Sequence, residues 1–273
     1  IGLDYLFIVN YGWGLMGAAT ATGLSAALVC VILLPYFFKK TTRLKFSRPM
    51  TDIAALLKAY VNGISEFANE LSIGVTALIF NWVMITRVGV EGVAALTIIN
   101  NIWMMGLFTS IGMCDARQPI ISQNYGARNH SRINEFLRIA AYAVFAVGVI
   151  MIASMLVFPN QLINIFLETH EIVTRAIATE FMLYMWPAFL FVGLNILLSI
   201  YFTSMHKPIE STSIAFSRSF ILPAAGLLLL PLWLGDLGMY IALPIAEGLT
   251  FIIAVLFFLK SKPEDIILQE TDH

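Results

Sequence analysis

Residues 92–114 read GVAALTIINNIWMMGLFTSIGMC. The run contains no Asp, Glu, Lys, Arg or His. About 20 such residues are what a helix needs to cross a hydrocarbon core of roughly 30 Å. Residues 5–38, 139–167 and 181–205 are equally free of those side chains. Period-two alternation is sustained nowhere, and lipid offers an open backbone no partners outside a helix. The chain therefore reads as an all-α, polytopic membrane protein.

Composition supports this and narrows the function. Charged residues make up 12% of 273 residues, about half the share in soluble domains, and hydrophobic residues make up 59%. The net charge of −1 provides no basic field for nucleic acid. No nucleophile elbow, P-loop or HExxH pattern is present, so neither an enzyme nor a cofactor is expected. Cys30 and Cys114 lie within apolar runs and read as packing residues. Glu168-Thr169-His170-Glu171 reads as a solvated loop, and no metal site is expected.

Seven spans follow, at about 14–38, 60–86, 92–114, 138–158, 181–203, 219–234 and 237–259. Pro231 and Gly235 are expected to turn the chain between the last two. Loops 39–58, 115–138 and 204–218 and the tail carry 14 of the 16 basic residues. These are alternate connections, so the positive-inside rule places them in the cytoplasm. The N-terminus is then outside and the C-terminus cytoplasmic, in a plasma (inner) membrane. Trp13, Trp82 and Trp233 suit an aromatic belt near the outer interface. The connection 118–132 reads as a structural cytoplasmic loop, with Arg128 and Arg132 suited to the anionic leaflet. The start Ile1-Gly2-Leu3-Asp4 has no initiator Met, basic n-region or cleavage site, and reads as the interior of a longer protein.

A shift of 225 residues lays Ala21-Thr22-Gly23-Leu24-Ser25 on Ala246-Glu247-Gly248-Leu249-Thr250. The first and seventh spans run the same way, six helices apart. Parallel repeats of this kind recur in secondary transporters.

Three carboxylates fall inside spans: Glu66, Glu70 and Glu247. An ionised side chain at the bilayer centre costs about 3 kcal/mol on insertion scales, so each calls for a cavity or a partner. Asn62, Ser65, Glu66, Asn69 and Glu70 share one helical face. A rise of 1.5 Å per residue puts Glu66 about 10 Å deep and Glu70 about 16 Å. Carboxylates one turn apart repel each other, which a shared proton or a bound Na⁺ relieves. Alternatively, Glu66 lies among the cytoplasmic headgroups beside Lys58. Glu247 is about 15 Å deep and is the only charge between Asp236 and Lys260. Its alternative role is a protonated carboxyl bonded to a neighbouring helix. Asn100, Asn101 and Asn195 are mid-span amides, suited to interhelical bonds or to a cavity wall. Trp103, Met104, Met105, Phe108, Tyr184, Met185, Trp186 and Tyr201 could line such a wall for flat apolar cations.

Several segments resemble the multidrug and toxic-compound extrusion (MATE) family. The most specific is Gln118-Pro119-Ile120-Ile121-Ser122-Gln123-Asn124-Tyr125-Gly126-Ala127. Others are Gly89-Val90-Glu91-Gly92-Val93-Ala94-Ala95 and Ala242-Leu243-Pro244-Ile245-Ala246-Glu247. Near the start lies Leu3-Asp4-Tyr5-Leu6-Phe7-Ile8, followed by Gly14-Leu15-Met16-Gly17-Ala18-Ala19-Thr20-Ala21-Thr22. The resemblance implies two six-helix lobes that expel organic, often cationic drugs against Na⁺ or H⁺. Residues 1–38 would then end the N-terminal lobe, 39–58 link the lobes, 59–260 form the C-terminal lobe and 261–273 a cytoplasmic tail. Ser65-Glu66 resembles the Ser-Glu pair that one bacterial branch carries in its seventh helix. The implied partners are small-molecule drugs, membrane lipids and the missing N-terminal lobe, with no nucleic acid.

A lipid or polysaccharide flippase of similar two-lobed plan is the alternative. It needs a basic cavity, and no Lys or Arg is expected deep in any span. A seven-helix receptor shares the topology but lacks both a mid-helix Lys in the last span and an external disulfide. The orientation is testable with membrane-impermeant thiol reagents: Ser47→Cys is expected to label only from the cytoplasmic side and Thr169→Cys only from outside.

Overall fold

A computed structural model of the chain describes residues 2–38, 53–167 and 171–264; within 54–72 it describes the side chains of Leu56, Tyr60 and Leu71 only. The described residues are helical and contain no strand. They divide into two compact units, Ile1–Lys58 and Ala59–His273.

The first unit holds α1 (Gly2–Asp4), a π-helical turn at Tyr5–Asn10 and α2 (Gly14–Phe38). Gly12 and Gly14, at φ +66° and +52°, reverse the chain so that the lead-in folds back on α2. Phe7 stacks on Trp13 at 5.2 Å. Only Gly17 and Ala21 of α2 are buried within this unit. Its remaining apolar surface suits contact with lipid or another helix.

The second unit is built around α9 (Ala188–Ser204). α9 packs against α4 (Val90–Asp115), α5 (Gln118–Gly126), α6 (His130–Val157), α10 (Pro208–Phe216) and α12 (Asp236–Lys260). α3 (Ile53–Arg87), α7 (Pro159–Asn164), α8 (Ile172–Met185) and α11 (Leu222–Leu234) complete it. α9 buries polar as well as apolar residues, as a helix enclosed on most sides must. α6 instead shows large apolar residues outward, such as Tyr142 and Ile150.

Phe189 explains how the helices approach so closely. Its ring lies 5.0 Å from that of Trp103. A β-carbon at Gly106 would sit 2.5 Å from the Phe189 ring, and one at Gly148 would collide with the Phe189 carbonyl oxygen. Two glycines on α4 and α6 thus form a notch for the first turn of α9. Small residues at crossings are how membrane helices gain packing without a hydrophobic drive.

Five helical segments are long and apolar enough to span: Gly14–Phe38, Val90–Gly126, His130–Val157, Pro208–Leu234 and Asp236–Lys260. α8 and α9, bent by 57° at their break, are long and apolar enough only when taken together as one broken span. With α3, these account for the seven runs marked out by the sequence, with four corrections. The fifth span is a broken pair, because Pro187 has no N–H to continue the ladder. The connection 118–132 contains a true helix, α5, with Pro119 in its first turn and Ile121 and Tyr125 buried. The turn after it is Ala127–Asn129, with Arg128 at φ +54° and the Asn129 side chain accepting from the Arg132 N–H. The sixth span starts at Pro208, eleven residues earlier than expected. It runs through α10, a π-helical segment at Ser217–Ile221 and α11. The turn into α12 is made at Gly235, at φ +61°, and Pro231 remains inside α11.

Gly148→Val is expected to lower stability by about 1–3 kcal/mol through overpacking. A β-carbon at Gly112 meets nothing within 4 Å, so Gly112→Ala is expected to be neutral or stabilising. Thermal unfolding in detergent, followed by size exclusion, measures both.

Candidate functional site

A cavity of about 170 Å³ lies between α3, α4, α8, α11, α12 and the π-helical segment. Its wall is mostly apolar and includes Phe80, Leu96, Trp103, Met104, Phe181 and Met185. Polar groups enter at Thr76, Asn100, Arg218, Ser219 and Glu247. A few polar groups in an apolar wall is the usual form of a small-molecule site.

Glu247 is 2% exposed, and Asn195 on α9 is fully buried. The Asn195 amide Nδ2 donates to Glu247 Oε2 at 2.7 Å and to the Glu247 backbone carbonyl at 2.9 Å. Asn195 Oδ1 has no hydrogen-bond partner among the described residues. The two amide positions thus differ: one faces Glu247 and the other faces no polar group. An ionised carboxylate needs the N–H side, whereas a protonated one can donate to the oxygen. The bond to the Glu247 backbone carbonyl fixes the amide with its N–H side toward Glu247.

The other wall is pinned by Thr76, whose hydroxyl donates to the Ser219 carbonyl at 2.6 Å. Ser219 belongs to the π-helical segment, where one extra residue per turn breaks the α-ladder. π-segments of this kind mark functional sites more often than chance. The bond ties α3 to the sixth span and holds the backbone of Arg218 at the cavity.

Of the residues singled out in the sequence, Glu247 and Asn195 meet. Asn101 does not join them: it is exposed and donates to Thr97 of its own helix at 3.0 Å. Its neighbour Asn100 lines the cavity instead. One helical step rotates a side chain by about 100°, so adjacent amides cannot share a face. Glu66, Glu70, Asn62, Asn69 and Ser65 lie on α3, and their side chains fall outside the described residues. Residues 168–170 also fall outside them; Glu171 accepts from the Thr174 hydroxyl at 3.2 Å. Among the aromatic and Met residues, Trp103, Met104 and Met185 reach the cavity. Met105 and Phe108 are exposed, Tyr184 stacks on Tyr240, and Tyr201 donates to the Ser261 carbonyl.

The sequence reading missed Arg218, which was expected in a loop and lies instead on a helical segment at the cavity. Arg218 sits ten residues into the segment Pro208–Leu234 and lines the cavity. Basic residues usually end spans, so this position reads as a loop charge in the sequence. Lys207-Pro208, with Pro in the first helical turn and Ile209, Ile214 and Phe216 beyond, was the available signal for the earlier start.

The MatE family profile matches residues 70–227, more than half of the chain. Over 178 residues the chain is 23% identical to the multidrug export protein MepA of Staphylococcus saprophyticus, covering 64% of this chain and 39% of that protein. MepA of Staphylococcus aureus strain MSSA476 matches at 21% identity over the same shares. Among solved structures, an outward-facing multidrug resistance MATE family transporter of the MOP superfamily superposes with a TM-score of 0.82. It is 21% identical, and the match covers 99% of this chain and 60% of that one. A MOP superfamily transporter from Pyrococcus furiosus superposes with a TM-score of 0.81 at 23% identity, over 97% of this chain and 59% of that one. The matched stretch thus spans 39% of these curated relatives, and the chain covers 59–60% of the solved transporters.

A double-mutant cycle of Asn195→Leu and Glu247→Gln should show a coupling of about 1–3 kcal/mol in thermal unfolding, as expected for a bond to a charged acceptor. That exceeds the roughly 0.6 kcal/mol average for interhelical hydrogen bonds in a membrane.

Proposed function

Because the chain belongs to the MatE family, a family of membrane transporters and not enzymes, we propose that it is part of a secondary transporter that expels organic, often cationic drugs in exchange for H⁺ or Na⁺. The second unit, with residues 59–260, serves as a C-terminal six-helix lobe. Residues 1–38 end a preceding lobe, 39–58 link the two, and 261–273 form a tail. The basic loops and the C-terminus face the cytoplasm, and the protein is integral to the plasma (inner) membrane. The missing N-terminal lobe forms the other wall of the transport path.

The observation that carries this reading is Glu247. It is buried about 15 Å along a spanning helix, on the wall of an apolar cavity, and bonded to Asn195. A carboxylate there is costly unless it is compensated. A proton or a Na⁺ neutralises it directly. A drug that alters the charge or the packing of the same cavity competes with that ion, and competition for one site is what exchange requires. The acidic face of α3, with Asn62, Glu66, Asn69 and Glu70, belongs to the same reading as a second ion-coupling group. Rocking of the two lobes then exposes the cavity to alternate sides.

The test is efflux of a fluorescent dye from sealed vesicles that hold the full-length transporter under an imposed H⁺ or Na⁺ gradient. One of the two gradients is expected to drive efflux in the wild type. In Glu247→Gln, correctly inserted, efflux is expected to fall to the leak rate. Undiminished efflux in that variant would remove Glu247 from coupling.

A further inference from the structure

The cavity holds about 170 Å³, whereas sites for drug-sized ligands hold about 300–1,000 Å³. A wall has to yield before such a molecule can lie against Glu247. Most walls are locked by described contacts. α12 is bonded to α9 through Glu247 and Asn195. α4 is held to α9 where Phe189 fills the notch at Gly106. α11 is held to α12, since a β-carbon at Gly238 would meet the Leu230 carbonyl carbon at 2.5 Å. α3 is bonded to the sixth span through Thr76 and Ser219.

α8 is held differently. It is 14 residues long and ends at the break before α9. Pro187 has no N–H for the Leu183 carbonyl. Beyond it, Phe189 and Leu190 donate only three residues back, to Trp186 and Pro187, at 3.1 Å each. α8 brings Phe181 and Met185 to the cavity, one turn apart on one face. Both are apolar and make no directional demand on their neighbours. Phe181 is fully buried, with its ring 5.7 Å from that of Phe80 on α3 and 4.8 Å from that of Tyr240 on α12. These rings meet at the end of the cavity where α3 finishes and α8 and α12 begin. In the orientation proposed above, that is the external end.

We propose that Phe181 sets the size of the molecule this cavity admits, and that its ring withdraws when α8 swings about the Pro187 break. The proposal rests on reading the cavity as the substrate site. With the ring between Phe80 and Tyr240, that end is closed and only a small group fits beside Trp103 and Met104. A swing of α8 carries Phe181 and Met185 away together and lengthens the cavity toward the same end. The Asn195–Glu247 bond joins α9 to α12 and does not involve α8, so it persists through the swing. Uncovering a buried ring is unfavourable, so the enlarged form is the minor one until a ligand fills the space.

The test uses the purified full-length protein in detergent and three probes with the same charged group: benzyl-, 1-naphthylmethyl- and 1-pyrenylmethyl-trimethylammonium. Equal charge leaves ring size as the variable, and binding is measured by titration calorimetry. In the wild type the pyrenyl probe is expected to bind no more tightly than the benzyl probe, despite its larger apolar area. Phe181→Ala is expected to tighten the pyrenyl probe by about tenfold relative to the benzyl probe. Phe181→Leu is expected to act in the same direction by a smaller factor, and it decides the matter if Phe181→Ala does not fold. Pro187→Ala restores a donor for the Leu183 carbonyl. It is expected to weaken the two larger probes by about tenfold and the benzyl probe by less than about twofold. Tightest binding of the pyrenyl probe by the wild type, or equal changes for all three probes in the Phe181 variants, overturns the proposal and leaves the cavity as a substrate site. A size preference that Pro187→Ala leaves unchanged overturns the swing of α8, and the proposal with it. Binding of none of the probes, in the wild type or any variant, overturns both the proposal and the cavity reading on which it rests.

Discussion

Hydrocarbon offers no hydrogen-bond partner, and the architecture of this chain follows from that constraint. Each span closes its backbone bonds internally, and polar side chains on a span either bond to their own helix or turn inward. Thr20, Thr22, Thr97 and Thr109 take the first course, each donating to a carbonyl four residues back. Asn195 and Glu247 take the second, joining α9 to α12 at the least solvated part of the unit. That junction needs α9 to be enclosed closely. The glycine notch around Phe189 makes this possible, because it removes the side chains that would hold α4 and α6 away.

The same constraint concentrates charge in the cavity. Two spanning segments bring Arg218 and Glu247 to one wall. A wall with a fixed cation and a neutralisable anion can change its net charge by one when a single proton or sodium ion arrives.

Much of the fold was legible in the sequence. Charge-free runs of membrane length identify helices because the bilayer leaves no alternative, and the glycine at 235 marks a turn because few other residues adopt its φ. The candidate site was legible in part. Glu247 stood out as a lone charge in a long apolar run. Asn195 stood out less, since a mid-span amide is more often glue than wall. Arg218 was hidden because it lies near the edge of its apolar run, where a basic residue ordinarily marks a loop. The π-helical segment that carries it has no distinct sequence pattern, and Ser217 and Ser219 on either side read as loop polarity. Asn100 and Asn101 were indistinguishable, since which of two adjacent amides faces a cavity depends on a helix rotation set by packing.

By itself, the sequence determined that this chain is a bundle of spanning helices and that Glu247 must be compensated, because length, hydropathy and the cost of a buried charge are local quantities. The tertiary structure alone decided what compensates it. Asn195 lies 52 residues from Glu247 in the chain, and Arg218 approaches along a different span. Their meeting depends on helix rotation, a proline break and a π-turn, which are settled only when the helices pack.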